Sequence, residues 1–430
     1  MKFIHSLQAL LFSAQHGAEH AVDPKKAWNA GWAGPLVVFA AFLISWGAEA
    51  AQFMISQGLA LAILAWLQTM PEFSVEADLA WNAGRGTPGY SETLVTANFT
   101  GSIRIIMGFG MPMVYFISTH FWSKVKRTFK AIELEPFHSV EIVSLVPPIA
   151  YFCWILHKGS LDIIDSIVML CFYVLYLALL MKMPPEEEGE DMEELPALSR
   201  WVLKRGRKGR IAGVLGIFLL GGAMLYVVVH PFVESLQGLG AMLGISTFIL
   251  IQWLAPFLSE MPEKVTAFNW ARKEKRAAMA LMNFLSSNLN QITVLVAMVP
   301  MVFAAATYIH GGAVRAIHFD EHQKAEVLLT ICQALLCLVL LLNMKFEWWD
   351  AVGMFVLFIV QFSAPMWEQA VGLPNDSVRT WIVFVYLGWI LLEVVFFLVG
   401  YRQWSFPLMS RRAKLMLGDP AKRGKVQGGP

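Results

Sequence analysis

Two short segments of the chain carry the same three residues in the same setting. Residues 66–72 read Trp-Leu-Gln-Thr-Met-Pro-Glu, and residues 257–263 read Phe-Leu-Ser-Glu-Met-Pro-Glu. Each puts a proline and then a glutamate late in an apolar run. Proline has no N–H, so the carbonyls four residues back, Leu67 and Leu258, lose their helical donors. In lipid a freed carbonyl must find another partner or line a polar cavity. Beside these carbonyls stand Glu72 and Glu263, with Gln68, Thr69, Ser259 and Glu260 one turn earlier. Carboxylate, hydroxyl, amide and carbonyl oxygens are hard ligands suited to Na⁺, Ca²⁺ or Mg²⁺, and a carboxylate can take H⁺ instead. A single copy is as easily a proline kink whose glutamate reaches an interface. Two matching copies favour function, because ionisable groups at membrane depth are costly.

A second motif follows each copy after a break. Asn98-Phe99-Thr100-Gly101-Ser102 and Asn283-Phe284-Leu285-Ser286-Ser287 both lie early in the next apolar run. Met-Pro-Glu alone is a weak signal, but two copies paired with the same downstream motif form an internal repeat. Glu76 stands one turn beyond Glu72 and could line an ion path. Arg104 is a charge within the same run. It follows Ser102 by two residues, which on a helix points it about 200° away. Arg104 is therefore expected either to face a neighbouring span or polar layer or, because a long guanidinium can curl back, to pair with Glu260 as a built-in cation. Three glutamates and one arginine then leave enough charge to neutralise one Ca²⁺ or two Na⁺.

The elements that must position these residues are membrane spans. Of the 430 residues 57% are hydrophobic and 15% charged, outside the range of a soluble globular domain. Apolar runs long enough to span lie at 34–56, 59–79, 94–121, 140–156 and 163–181, then at 211–229, 243–268, 280–309, 325–342, 351–365 and 380–401. The chain thus reads as an all-α polytopic membrane protein of about 11 spans. Residues 1–33 form an N-terminal interfacial segment, 34–182 and 211–370 two five-helix repeats, 183–210 a charged cytoplasmic linker, and 371–430 an extra C-terminal transmembrane helix with a basic tail. Basic clusters follow spans three, five, seven and eleven. With the N-terminus outside and the C-terminus cytoplasmic, all of them face the cytoplasm, as expected for a protein of the cell (inner) membrane. Five spans per repeat is an odd number, so the two repeats are inverted, and in that architecture a site lies between them near the midplane.

Other chemistries find little support. Cys153, Cys171, Cys332 and Cys337 lie in apolar runs at spacings that suit neither zinc nor a disulfide framework. Phosphate loops and His-Glu-x-x-His are absent. The basic clusters read as topology determinants, not as a nucleic-acid surface, and no enzyme or cofactor is expected. The partners expected are the lipid bilayer and inorganic cations.

On the two motif pairs the sequence resembles the sodium/calcium exchanger (cation/Ca²⁺ antiporter) superfamily, as a divergent member. The lead-in segments 48–72 and 234–263, with Gly244-Ile245-Ser246, also share its shape. The resemblance implies a secondary antiporter, exchanging Ca²⁺ against Na⁺ or H⁺ by alternating access. It makes Glu72 and Glu263 the principal cation ligands, with Thr69 and Ser259 from the broken helices and Ser102, Ser287 and Gln291 from the following spans. The chain departs from the family pattern at Ile106, which stands where relatives carry Asn or Asp, and at Arg104, Glu260 and the extra span. The alternative is a transport-inactive membrane scaffold or sensor that retains the exchanger fold.

Overall fold

Proline opens helices as readily as it breaks them. The first helical turn has no use for its missing N–H, and both Met-Pro-Glu motifs fall at such a place. The structure, a computed structural model, describes residues 23–54, 66–67, 69–122, 131–134, 139–181, 195–273, 276–368, 371–374 and 376–402. Most of the N-terminal interfacial segment, Gln68, the acidic stretch of the linker and most of the basic tail lie outside the described residues.

The first half comprises α1 (Ala30–Gln52), α2 (Met70–Gly84), α3 (Glu92–Ile105), α4 (Met111–Trp122), β1 (Ala131–Glu133), α5 (Ser139–Ser144), α6 (Val146–Lys158), β2 (Ser160–Leu161) and α7 (Ile163–Leu180). A short α8 (Ala197–Leu203) leads into the second half. There follow α9 (Arg207–Leu243), α10 (Thr247–Ile249), α11 (Ala255–Ser259), α12 (Met261–Ala271), α13 (Ala277–Asn290), α14 (Val296–Ile309), β3 (Ile317–His318), α15 (Glu321–Leu341), β4 (Lys345–Glu347) and α16 (Trp348–Trp367). The last helix is α17 (Ser377–Leu398).

Among the described residues nine helical stretches are long and apolar enough to cross a membrane. They coincide with nine of the expected spans. The second span of the second half is instead divided into short helices, and Pro262 sits in the first turn of α12 as Pro71 does in that of α2. The prolines thus start new helices. Each new helix carries its glutamate, Glu72 or Glu263, in the first turn, where the helix dipole favours negative charge.

The halves pack reciprocally, as inverted repeats must. Helix α2 lies against α14 while α12 lies against α4, and α7 meets α14 as α16 meets α4. The ribbons exchange in the same way, with β1 antiparallel to β4 and β2 antiparallel to β3. A single π turn follows each downstream motif. It spans Ile106–Gly110 in the first half and Gln291–Leu295 in the second, so each begins four residues after the motif serine. Such bulges widen a helix locally and recur at functional sites.

A third π turn, Leu250–Leu254, crosses α3. The approach is so close that a Cβ on Gly101 would lie 1.9 Å from the Gln252 carbonyl oxygen. Overpacking of this kind costs ~1–3 kcal/mol or more. Gly101→Ala should therefore lower the melting temperature of the detergent-solubilised protein. Unchanged melting would mean that the two segments have slack there.

Candidate cation-binding site

The site begins with Glu72 in the first turn of α2. Its Oε1 accepts hydrogen bonds from Asn98 Nδ2 at 2.8 Å and from Ser102 Oγ at 2.5 Å, both on α3. Its Oε2 accepts from Ser259 Oγ at the end of α11. One carboxylate is therefore held by both repeats. Asn98 Nδ2 also donates to Glu76 Oε2 at 2.7 Å, which ties the next turn of α2 to the same point.

Glu263 holds the corresponding place in the second half, and its Oε1 accepts from Ser287 Oγ of α13 at 2.7 Å. Glu260 lies within electrostatic reach of both glutamates. Its Oε1 accepts from Gln291 Nε2 at 2.6 Å and its Oε2 from Lys264 Nζ at 2.7 Å. Thr69 donates to the Trp66 carbonyl at 2.9 Å, so its hydroxyl caps backbone left open at the helix break. All of these side chains are buried except Trp66.

Several buried oxygens here have no hydrogen-bond donor. They are Glu76 Oε1, Glu263 Oε2, Asn98 Oδ1 and Gln291 Oε1. Native interiors rarely leave such atoms without a partner. Here they gather where the donor set consists of carboxylate, hydroxyl and amide oxygens, the chemistry of a hard cation. Among the described residues no three His, Cys, Asp or Glu form a metal-holding cluster. A cation at this point would thus complete its shell from hydroxyl and amide oxygens.

Arg104 lies elsewhere. Its guanidinium donates to Glu326 of α15, to the Thr100 carbonyl at 3.1 Å and to Gln361 Oε1 of α16 at 3.4 Å, and stacks 4.9 Å from the Trp253 ring centre. The expected Arg104–Glu260 pair is replaced by Arg104–Glu326 and Lys264–Glu260. The reason is helical geometry. The position two residues after Ser102 faces away from the glutamates, and a buried acid on α15 waits on that side. Glu326 also accepts from Gln252 at 2.8 Å and pairs with Arg379 of α17 at 2.7 Å. The extra C-terminal helix is thereby tied to the middle of the fold.

Two participants escaped the sequence reading as ligand-set members. Asn98 opened the repeated motif and could have been included on that ground. Lys264 is four residues after Glu260, the spacing of a helical ion pair, and that signal was available.

A sequence profile described as sodium/calcium exchanger protein matches residues 28–182 and 213–367, one stretch in each half. Among solved structures, the H⁺/Ca²⁺ exchanger CAX is similar at 27% identity with a TM-score of 0.78, over 97% of this chain and 98% of that one. A sodium-calcium exchanger, NCX_Mj, is similar at 16% identity with a TM-score of 0.49, over 79% of this chain and 98% of that one. Comparison with curated proteins gives no match.

Proposed function

Since this chain belongs to the sodium/calcium exchanger family, we propose that it is a secondary antiporter moving Ca²⁺ against H⁺ between Glu72 and Glu263. One observation carries the reading: the Glu72 carboxylate accepts hydroxyls from Ser102 of the first repeat and Ser259 of the second. A site shared between two bodies opens to either side as one moves against the other, which is what alternating access requires. The likeness to an H⁺/Ca²⁺ exchanger along nearly the whole chain supports H⁺ over Na⁺ as the counter-ion.

The chemistry follows from what the side chains can do. A serine hydroxyl both donates and accepts. In the structure Ser102, Ser259 and Ser287 donate to the two carboxylates. When Ca²⁺ arrives, the same hydroxyls rotate and offer lone pairs. Protons and Ca²⁺ claim the same carboxylate oxygens, so loading one expels the other, and that competition couples the two fluxes. Glu76 and Asn98 extend the polar lining along α2.

The Lys/Arg distribution supports an N-terminus outside and a C-terminus in the cytoplasm of the cell membrane. It also supports repeats at 34–182 and 211–370, joined by the charged linker 183–210. Purified protein in proteoliposomes should accumulate Ca²⁺ when an outward H⁺ gradient is imposed. A Na⁺ gradient of equal size should drive less. Uptake with Na⁺ alone would reassign the counter-ion. Failure of every cation and gradient to produce uptake would leave the transport-inactive scaffold as the better reading.

A further inference from the structure

The two repeats differ at a matched pair of positions. Two residues before the proline the first half has Thr69 and the second Glu260; one residue after the glutamate the first has Phe73 and the second Lys264. The second half has thus gained an acid and a base together. They find each other across the helix break, Lys264 Nζ lying 2.7 Å from Glu260 Oε2 with both side chains buried. The Lys264 ammonium lies over the Phe257 ring, 5.4 Å from its centre. The ammonium also lies within electrostatic reach of Glu263, which in turn senses Glu72 and Glu260.

An ammonium is a compact positive point charge with three donors, close in demand to a small monovalent cation among oxygens. Glu260 without it would be a buried carboxylate with only neutral donors, Gln291 and Ser102, among its described hydrogen-bond partners, beside two further glutamates. Such a place attracts a cation from solution. We propose that Lys264 is a tethered cation that fills a monovalent subsite at Glu260, and so determines that only the divalent position between Glu72 and Glu263 is open to exchange. This inference rests on the antiport reading and deepens it: Lys264 is a specificity-determining residue that excludes Na⁺ and K⁺ as co-bound ions. Its attachment to α12 means that its charge never leaves with the cargo.

The test uses the full chain in detergent and in proteoliposomes. Melting is measured in choline chloride, then with choline replaced by NaCl or KCl at constant ionic strength. Wild-type protein should show no shift. Lys264→Ala frees the subsite and should gain an upward shift of about 2 °C or more with Na⁺ or K⁺, the signature of a newly bound ligand. Lys264→Gln, which keeps most of the side-chain length and packing, is read in the same way, so the result does not depend on the alanine variant folding. Lys264→Ala with Glu260→Ser removes the subsite altogether and should lose the shift. In proteoliposomes, any Ca²⁺ uptake by Lys264→Ala should become dependent on Na⁺ or K⁺. A pair that only braces the helix break would lower stability in all three salts alike. Folded variants without a monovalent shift, a wild type with the same shift, or a double variant that retains it would overturn the proposal. Wild-type uptake under an H⁺ gradient tests the antiport reading separately, so failure of one is distinguishable from failure of the other.

Discussion

Glu72→Gln is expected to reduce H⁺-driven Ca²⁺ uptake by about 100-fold or more. Charge-assisted hydrogen bonds contribute ~1.5–3 kcal/mol each, and every 1.4 kcal/mol is about a factor of ten. The amide keeps the shape of the carboxylate but turns one acceptor into a donor. That donor would face Ser259 or Ser102, both of which already donate to the carboxylate in the structure. Glu263→Gln should lose as much, because it removes the other principal charge even though its amide oxygen can still accept from Ser287. Both substitutions are close to isosteric, so melting in the absence of Ca²⁺ should change little while uptake collapses. Wild-type uptake in either variant would remove these residues from the ligand set.

The second large effect is on stability. Arg104→Met should destabilise the protein by ~3 kcal/mol, at the lower end of the ~3–5 kcal/mol that breaking a buried ion pair costs. The lower end applies because Glu326 keeps Arg379 and Gln252 as partners. The loss of the contacts to Thr100 and Gln361 adds to it. In melting temperature this is a fall of about 3 °C. Because Arg104 and Glu326 form one ion pair, Glu326→Gln added to Arg104→Met should cost less than the two single losses summed, a coupling that a double-mutant cycle reads directly. Wild-type melting of Arg104→Met would show that the cluster carries no stability.

The sequence made the repeat legible because proline and glutamate at membrane depth are each costly, and their coincidence in two matching places has few explanations. The resemblance to the exchanger family pointed to the serines. Ser102, Ser259 and Ser287 lie where the repeat puts them, each donating to one of the two glutamates. The cation that neutralises Glu260 was signalled by the i,i+4 spacing of Lys264, but Arg104 competed with it. Arg104 and Lys264 are both basic residues in apolar runs, and choosing between them needs the rotation of α3 relative to α15. Glu326 gave no warning, since a glutamate one turn into a run looks like an interfacial residue until Arg104, Arg379 and Gln252 converge on it. The π turns were hidden as well. Ile106–Gly110 and Gln291–Leu295 have no shared residue type that marks them, because a bulge depends on packing against neighbouring helices more than on local propensity. The prolines were read as breaking a helix, and in the structure each opens a new one.

The Glu72–Ser259 contact has a thermodynamic consequence of its own. The candidate ion site belongs to neither repeat: its oxygens come from both, and they converge only when the halves are seated on each other. Any ligand bound there is linked to that seating, and linkage is reciprocal. A bound ion tightens the joint between the repeats by the same free energy that the joint contributes to ion affinity. Substitutions far from the glutamates, along the contact of α2 with α14 or of α12 with α4, therefore act on affinity without touching a ligand, and cargo and joint loosen together.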